Sequence, residues 1–197
     1  PSFVNQFGGA VTSAQVRAAL KAVGFEDMIE VAVGADLCAI QEAEDFLEEV
    51  PEKIPFMGTS CCPAWSVMAK KTFPEYANCI SMALTPMVLT GRMIKKDHPD
   101  CKVVFIGPCA AKKLEASRRS VRSDVDFVLT FEELDAMFDA REIDPASFEE
   151  DGSLHDATAA GRGYAVAGGV AGAIEACLKE YYPDVPVHIE HAESLAE

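Results

Sequence analysis

Basic residues are scarce in this 197-residue chain: 17 lysines and arginines stand against 32 aspartates and glutamates, for a formal net charge of −15. Such an excess is repelled by phosphate backbones and anionic bilayer surfaces, which argues against nucleic acid or a membrane as partner. Long apolar runs are lacking too. The most extended, around residues 80–90 and 164–174, fall well short of the roughly 20 residues that span a bilayer. The four histidines, His98, His155, His188 and His191, are scattered among polar neighbours and take no role. No second Cys or His stands at the C-x₂₋₄-C spacing of zinc sites from Cys61, Cys62 or Cys109, which removes the nearest metal rival. Internal repeats, low-complexity tracts and a secretory signal pattern are absent. The chain opens on Pro1 without an initiating methionine and runs out in a hydrophilic pattern at Glu197, so it reads as an excised piece of a longer polypeptide.

What is present is a 49% apolar composition, enough to bury a sizeable core as one large domain or two tight lobes. Seven cysteines without a secretory signal are expected to be reduced or metal-bound, which favours the cytoplasm. Cys38, Cys79, Cys101 and Cys177 read as ordinary buried or semi-buried thiols.

The other three cysteines form a pattern. Cys61 and Cys62 adjoin within Thr59-Ser60-Cys61-Cys62-Pro63-Ala64-Trp65, and Pro108-Cys109 is followed at once by Ala-Ala-Lys-Lys-Leu-Glu. Each site ends an apolar strand-like run and precedes a helical pattern, a layout suited to holding a metal cluster. Neighbouring side chains on an extended stretch point to opposite sides, so Cys61 and Cys62 are expected to divide two tasks, ligation and contact with a second reactant. Pro63 suits a first helical turn, and a helix N-terminus favours thiolate, the form that binds iron. Lys112, one turn beyond Cys109, is placed to donate to an anionic group beside a cluster.

Residues 59–65 resemble the first signature of the catalytic domain of iron-only ([FeFe]) hydrogenases, and residues 107–115, Gly-Pro-Cys-Ala-Ala-Lys-Lys-Leu-Glu, resemble the second. The resemblance runs through Pro1-Ser2, the acidic segment 41–50 and the Gly-rich segment 165–179. It implies a [4Fe-4S] cubane joined through a cysteine sulfur to a diiron unit with carbon monoxide, cyanide and a bridging dithiolate amine. It assigns Cys62 and Cys109 as cubane ligands and Cys61 as the thiol that passes protons. Glu42, Asp45, Ser81 and Glu115 fall on the family's proton relay, with Asp45 where glutamate is usual. Lys112, Ser2 and Pro1 match the groups that contact the cyanides.

Three departures qualify the resemblance. The third signature, which supplies the remaining two cubane ligands, is missing, so the cluster is expected to be incomplete and the piece alone inactive. Gly107 leaves a space where hydrogen-producing members carry a methionine, and Met87 replaces a glutamine after Pro86. Both changes resemble the divergent, sensory branch.

Along the chain the patterns predict helices at 12–23 (N-cap Thr12 or Ser13, stop at Gly24), 35–50, 64–71, 86–97, 110–115, 130–141 (capping box Thr130/Glu133) and 168–181. Strands are predicted at 28–33, 56–60, 102–106, 126–129 and 185–189. Residues 144–162 read as a mobile loop, and Trp65 and Phe73 as core anchors. The alternation implies an α/β fold, parallel β-sheets flanked by helices in the two-lobed hydrogenase catalytic-domain arrangement, spread over one partial domain, residues 1–197. The implied activity is reversible heterolytic dihydrogen oxidation and proton reduction under anaerobic conditions. Electrons would pass to or from a ferredoxin-like carrier or attached iron-sulfur domains. The rival readings are a hydrogen sensor and a noncatalytic iron-sulfur assembly factor.

Overall fold

The computed structural model describes residues 2–152, 154 and 156–187. Pro1, His155, His188, His191 and the end of the strand expected at 185–189 lie outside the described residues.

Helix α1 (Ser13–Val23) begins with a reciprocal cap, in which Thr12 Oγ1 accepts the Gln15 N–H and the Gln15 side chain accepts the Thr12 N–H; it ends at Gly24, φ 123°. Helix α2 (Val31–Glu49) starts earlier than expected, and the strand predicted at 28–33 is instead a loop and the first turn of this helix. Packing overrides β-propensity here. An ideal Cβ at Gly34 would come within 2.6 Å of Pro86 O, so α2 lies almost backbone to backbone against α4 (Pro86–Asp97). A helix that turns Gly34 to this neighbour achieves that approach.

Helix α3 (Pro63–Thr72) is entered through Cys62 and Pro63, and a 3₁₀ turn (Pro74–Cys79) follows. Strand β1 (Val104–Gly107) leads through α5 (Ala111–Ala116) to β2 (Phe127–Thr130), which runs straight into α6 (Phe131–Ala140) across the predicted Thr130/Glu133 capping box. The strands pair in parallel, Val104 opposite Phe127 through Gly107 opposite Thr130. This is the expected α/β arrangement, a small parallel sheet among helices. Among the described residues the expected strand at 56–60 contributes one parallel bridge, Gly58 to Ile80.

The described residues of 144–162 are more ordered than a mobile loop. They hold a 3₁₀ turn (Pro145–Ser147) and enter α7 (Ala159–Gly163), which α8 (Gly169–Tyr181) follows. Asp36 accepts the Thr158 N–H at 2.7 Å, and Arg162 pairs with Glu30 at 2.8 Å. These partners are distant in sequence, which hides them from a local reading.

Three apolar clusters hold the fold. Val16, Ala19 and Leu20 of α1 meet Leu134 and Phe138 of α6, with Phe7 set edge-on to Phe131 and Phe138. Met87 and Val88 of α4 pack with Val103, Val121 and Val125. Ala35, Ala39 and Ala43 of α2 meet Tyr164 and the α8 residues Ala173, Ile174 and Leu178. Trp65 and Phe73 are not core anchors: they remain 42% and 50% exposed on the outer side of α3. Among the described residues no helix is long and apolar enough to cross a membrane.

Candidate functional site

Cys62 caps α3, its Sγ accepting the Trp65 N–H at 3.5 Å, while Cys61 packs against the α2–α8 cluster. The adjacent thiols therefore serve different surroundings, as the alternation of an extended stretch requires. The Trp65 indole N–H donates to Thr59 O at 2.9 Å and ties the loop down. Cys109 lies in the short crossing from the carboxyl end of β1 into α5, and α5 packs against α3. Lys112 joins the two cysteine segments. Its ammonium donates to Cys61 O and to Glu115 Oε2, both at 2.7 Å, and the Thr85 hydroxyl donates to Glu115 Oε1 at 2.8 Å.

Glu42 comes up from α2, only 2% exposed. Around it stand the Ser81 hydroxyl, the Ser60 amide and the Tyr164 hydroxyl, which donates to Oε2 at 3.4 Å. Ser81 reaches this position because the Gly58–Ile80 bridge brings residues 58–61 beside 79–81: the Gly58 N–H donates to Cys79 O and the Ser81 N–H to Gly58 O, both at 2.8 Å.

Burial sets the proton affinities. It pushes the Glu42 carboxyl above its ordinary range, while hydrogen bonds from Ser81, Ser60 and Tyr164 oppose the rise. Cys61 is raised by burial and by the nearby Glu42 carboxyl, with Lys112 opposing. The expectation that a helix start turns both thiols into thiolates fails at Cys61, because its sulfur lies in the α2–α8 cluster and its burial outweighs the local positive charge. Cys38, donating to Leu84 O at 2.8 Å, is pushed up to about 12, chiefly by burial and then by Glu42. Tyr164 rises for the same reasons. The result is a buried set of proton-bearing groups in which burial favours the protonated forms, beside one ion pair, Lys112–Glu115.

The structure thus brings together Cys61, Glu42, Ser81, Lys112 and Glu115 from the residues singled out in the sequence. Asp45 sits further along α2, half-buried, accepting from Gln41 Nε2 at 2.9 Å. Ser2 is half-buried in the opening turn, whose next residue Phe3 packs toward the α1–α6 cluster rather than toward Lys112. Cys38, Tyr164 and Thr85 belong to the cluster and were not anticipated. For Cys38 the signal was available: residues 35, 38, 42 and 45 share one face of a helix.

Among the described residues no group of three or more His, Cys, Asp or Glu is disposed to hold a metal ion. Cys62 and Cys109 amount to half of the four thiolates that a [4Fe-4S] cubane takes.

The profile of the family described as "Iron only hydrogenase large subunit, C-terminal domain" matches residues 1–194. Iron hydrogenase 1 of Clostridium pasteurianum is 33% identical over 189 residues, 88% of this chain and 32% of that protein. The cytosolic Fe-S cluster assembly factor NAR1 of Kluyveromyces lactis is 37% identical over 101 residues, 51% of this chain and 22% of that one. The apo [FeFe]-hydrogenase HydA1 from Chlamydomonas reinhardtii, solved as a single-residue variant, superposes with a TM-score of 0.74 at 25% identity, covering 99% of this chain and 54% of its own. This chain therefore spans about half of that structure and a third or less of the two sequence relatives.

Proposed function

The chain belongs to the iron-only hydrogenase large-subunit, C-terminal domain family, and from that premise we propose that it carries the proton-handling part of a site for reversible dihydrogen oxidation and proton reduction. The observation that supports this most is the Lys112 ammonium, which links Cys61 O to the Glu115 carboxylate directly beside the buried Cys61–Glu42 pair. In this reading Cys62 and Cys109 hold a [4Fe-4S] cubane joined to a diiron unit, with the other thiolates coming from outside the described residues. Bound there, the cluster supplies the redox chemistry and the activation of dihydrogen.

The chain's own groups bind, orient and move protons. Two of the three Lys112 N–H groups are committed to Cys61 and Glu115, and the third is assigned to an anionic cyanide. A thiol kept neutral by burial, as Cys61 is, suits a proton carrier rather than a ligand. Glu42 and Ser81 take the proton from it, with Asp45 and Glu115 further along the relay. Electrons leave to a ferredoxin-like carrier or an attached iron-sulfur domain, in the cytoplasm, where seven free thiols stay reduced.

The sensory alternative is supported by Gly107 and Met87, the two departures from the hydrogen-producing pattern: the Phe105 ring lies across Gly107, and Met87 packs among Val88, Val103, Val121 and Val125. An assembly-factor role, suggested by the NAR1 likeness, leaves the Cys61, Glu42 and Lys112 cluster without a task.

The test uses the matured full-length protein, purified without oxygen. Cys61→Ser is expected to keep its iron and lose most deuterium–water exchange, because a hydroxyl is a far poorer acid than a thiol. Cys62→Ser is expected to lose iron. Equal iron loss in both variants overturns this division, and no exchange in the unaltered protein overturns the catalytic reading.

A further inference from the structure

The phenol of Tyr164 is out of place in an otherwise apolar contact. Its ring is 6% exposed and packs among Ala35, Ala39 and Ala43 of α2 and the α8 residues Ala173, Ile174 and Leu178, surroundings that phenylalanine would fill equally well. A buried phenol O–H needs a partner. The one it reaches among the described residues is Glu42 Oε2, at 3.4 Å, 122 residues away in sequence. The backbone that carries the ring is close-packed as well: an ideal Cβ at Gly169 would stand 3.0 Å from the Tyr164 carbonyl carbon, so the turn after α7 closes tightly on the main chain of this residue.

We propose that Tyr164 is a positioning residue for Glu42: its hydroxyl pins Oε2 and stabilises the carboxylate left behind each time Glu42 passes a proton on. The proposal rests on the proton relay described above and adds to it a group that touches neither cluster nor substrate. The donor set around Glu42 makes the role specific. Ser81 and the Ser60 amide approach from the 58–81 bridge, whereas Tyr164 approaches from the α7–α8 turn, so the carboxyl is gripped from two independent parts of the fold. A bond of 3.4 Å is long for O–H···O, which has its mode near 2.7–2.8 Å, and a charged acceptor shortens such bonds. The phenol therefore grips more firmly once Glu42 is ionised.

The other ionisable groups facing this place are Cys38 and Asp45 on α2 and Cys61 before α3, with the Lys112–Glu115 pair on α5 beside Cys61 and Cys38. None of them donates to Glu42 Oε2 among the hydrogen bonds of the described residues.

The experiment follows the carboxyl stretch of Glu42 by infrared difference spectroscopy in the metal-free full-length protein, with Glu42→Gln identifying the band. Tyr164→Phe keeps the ring and removes the donor, so the protonation midpoint of Glu42 should rise, by roughly tenfold in proton affinity. Replacing Tyr164 by 3,5-difluorotyrosine, whose phenol is the stronger donor, should move the midpoint the other way. Opposite displacements support the proposal. An unchanged midpoint in both proteins, or the same displacement in both, overturns it. Because the readout needs neither cluster nor turnover, a failure here is distinguishable from a failure of the hydrogenase reading.

Discussion

The ammonium of Lys112 lies 2.7 Å from the carbonyl oxygen of Cys61, so a side chain of the second cysteine segment is tied to the backbone of the first. A side-chain contact would permit either segment to shift with a rotamer; a contact to backbone fixes the path of the chain through Cys61 itself. The same ammonium holds the Glu115 carboxylate, whose side chain is 4% exposed. One cation thus fixes the loop carrying both adjacent thiols and neutralises the acid next to them.

Removing that cation leaves a buried carboxylate with Thr85 as its remaining hydrogen-bond partner among the described residues. Lys112→Met is expected to cost about 3–5 kcal/mol in denaturant unfolding, the range for breaking one side of a buried ion pair. Lys112→Met with Glu115→Gln should recover most of it, since the stranded charge is then gone. A single-variant loss near that of a surface pair, below about 1 kcal/mol, would mean that water reaches Glu115 freely.

Glu42 makes stability depend on pH in a defined direction. Its folded proton affinity is raised above the ordinary value of 4.5, so between 4.5 and the folded midpoint the native state binds more protons than the unfolded one. The slope of stability with pH is then negative. The contribution is full below the unfolded value and is lost as pH rises through the folded midpoint. Glu42→Gln removes this loss. The stability of the variant relative to the unaltered protein should therefore grow with rising pH and level off, as read from unfolding curves at matched pH values; parallel profiles would falsify a raised proton affinity at Glu42.

How much of this was legible in the sequence depends on the range of the signal. Thr12 or Ser13, Thr130 with Glu133, and Pro86 announce helix starts through local groups, and the structure begins its helices there. The cysteine segments were legible because Pro63 and Pro108 mark their turns. The helical start of α2 was hidden, because the deciding fact is that Gly34 meets Pro86 on another helix. Tyr164 was hidden for the same reason: nothing near it in sequence points to Glu42, 122 residues away. The loop at 144–162 looked mobile because Asp36 and Glu30, which hold it, lie on α2 and just before it.

The ligand arithmetic gives a direct test. Residues 1–197, reconstituted with iron and sulfide without oxygen, should not hold a stoichiometric four-iron centre, because Cys62 and Cys109 leave half of the cubane's positions to solvent. Iron and sulfide analysis after brief exposure to air should show rapid loss. A stable, oxygen-tolerant four-iron centre on this chain would require thiolates other than those two, with Cys38, Cys61, Cys79, Cys101 and Cys177 as the remaining candidates.

The space expected at Gly107 is already filled. An ideal Cβ at 107 would stand 2.7 Å from two atoms of the Phe105 ring, so the ring, two residues back on the same face of β1, lies across the glycine. Met87 is 2% exposed and packs with Val88, Val103, Val121 and Val125, the cluster that Phe105 also joins. These three residues therefore form one packed unit, in which the Phe105 ring covers Gly107. Slow turnover of the matured full-length protein, relative to ordinary family members, is the expected consequence where a flexible thioether beside the cluster is replaced by a fixed ring. Gly107→Met alone should destabilise the fold by about 1–3 kcal/mol, because the ring has to swing out of a filled cluster. Adding Phe105→Val vacates that volume. The triple replacement Phe105→Val, Gly107→Met and Met87→Gln should then raise hydrogen evolution with an artificial electron carrier above that of the unaltered protein. Fast evolution before any replacement, or a triple variant that folds and stays equally slow, would remove positions 87, 105 and 107 as an argument for sensing.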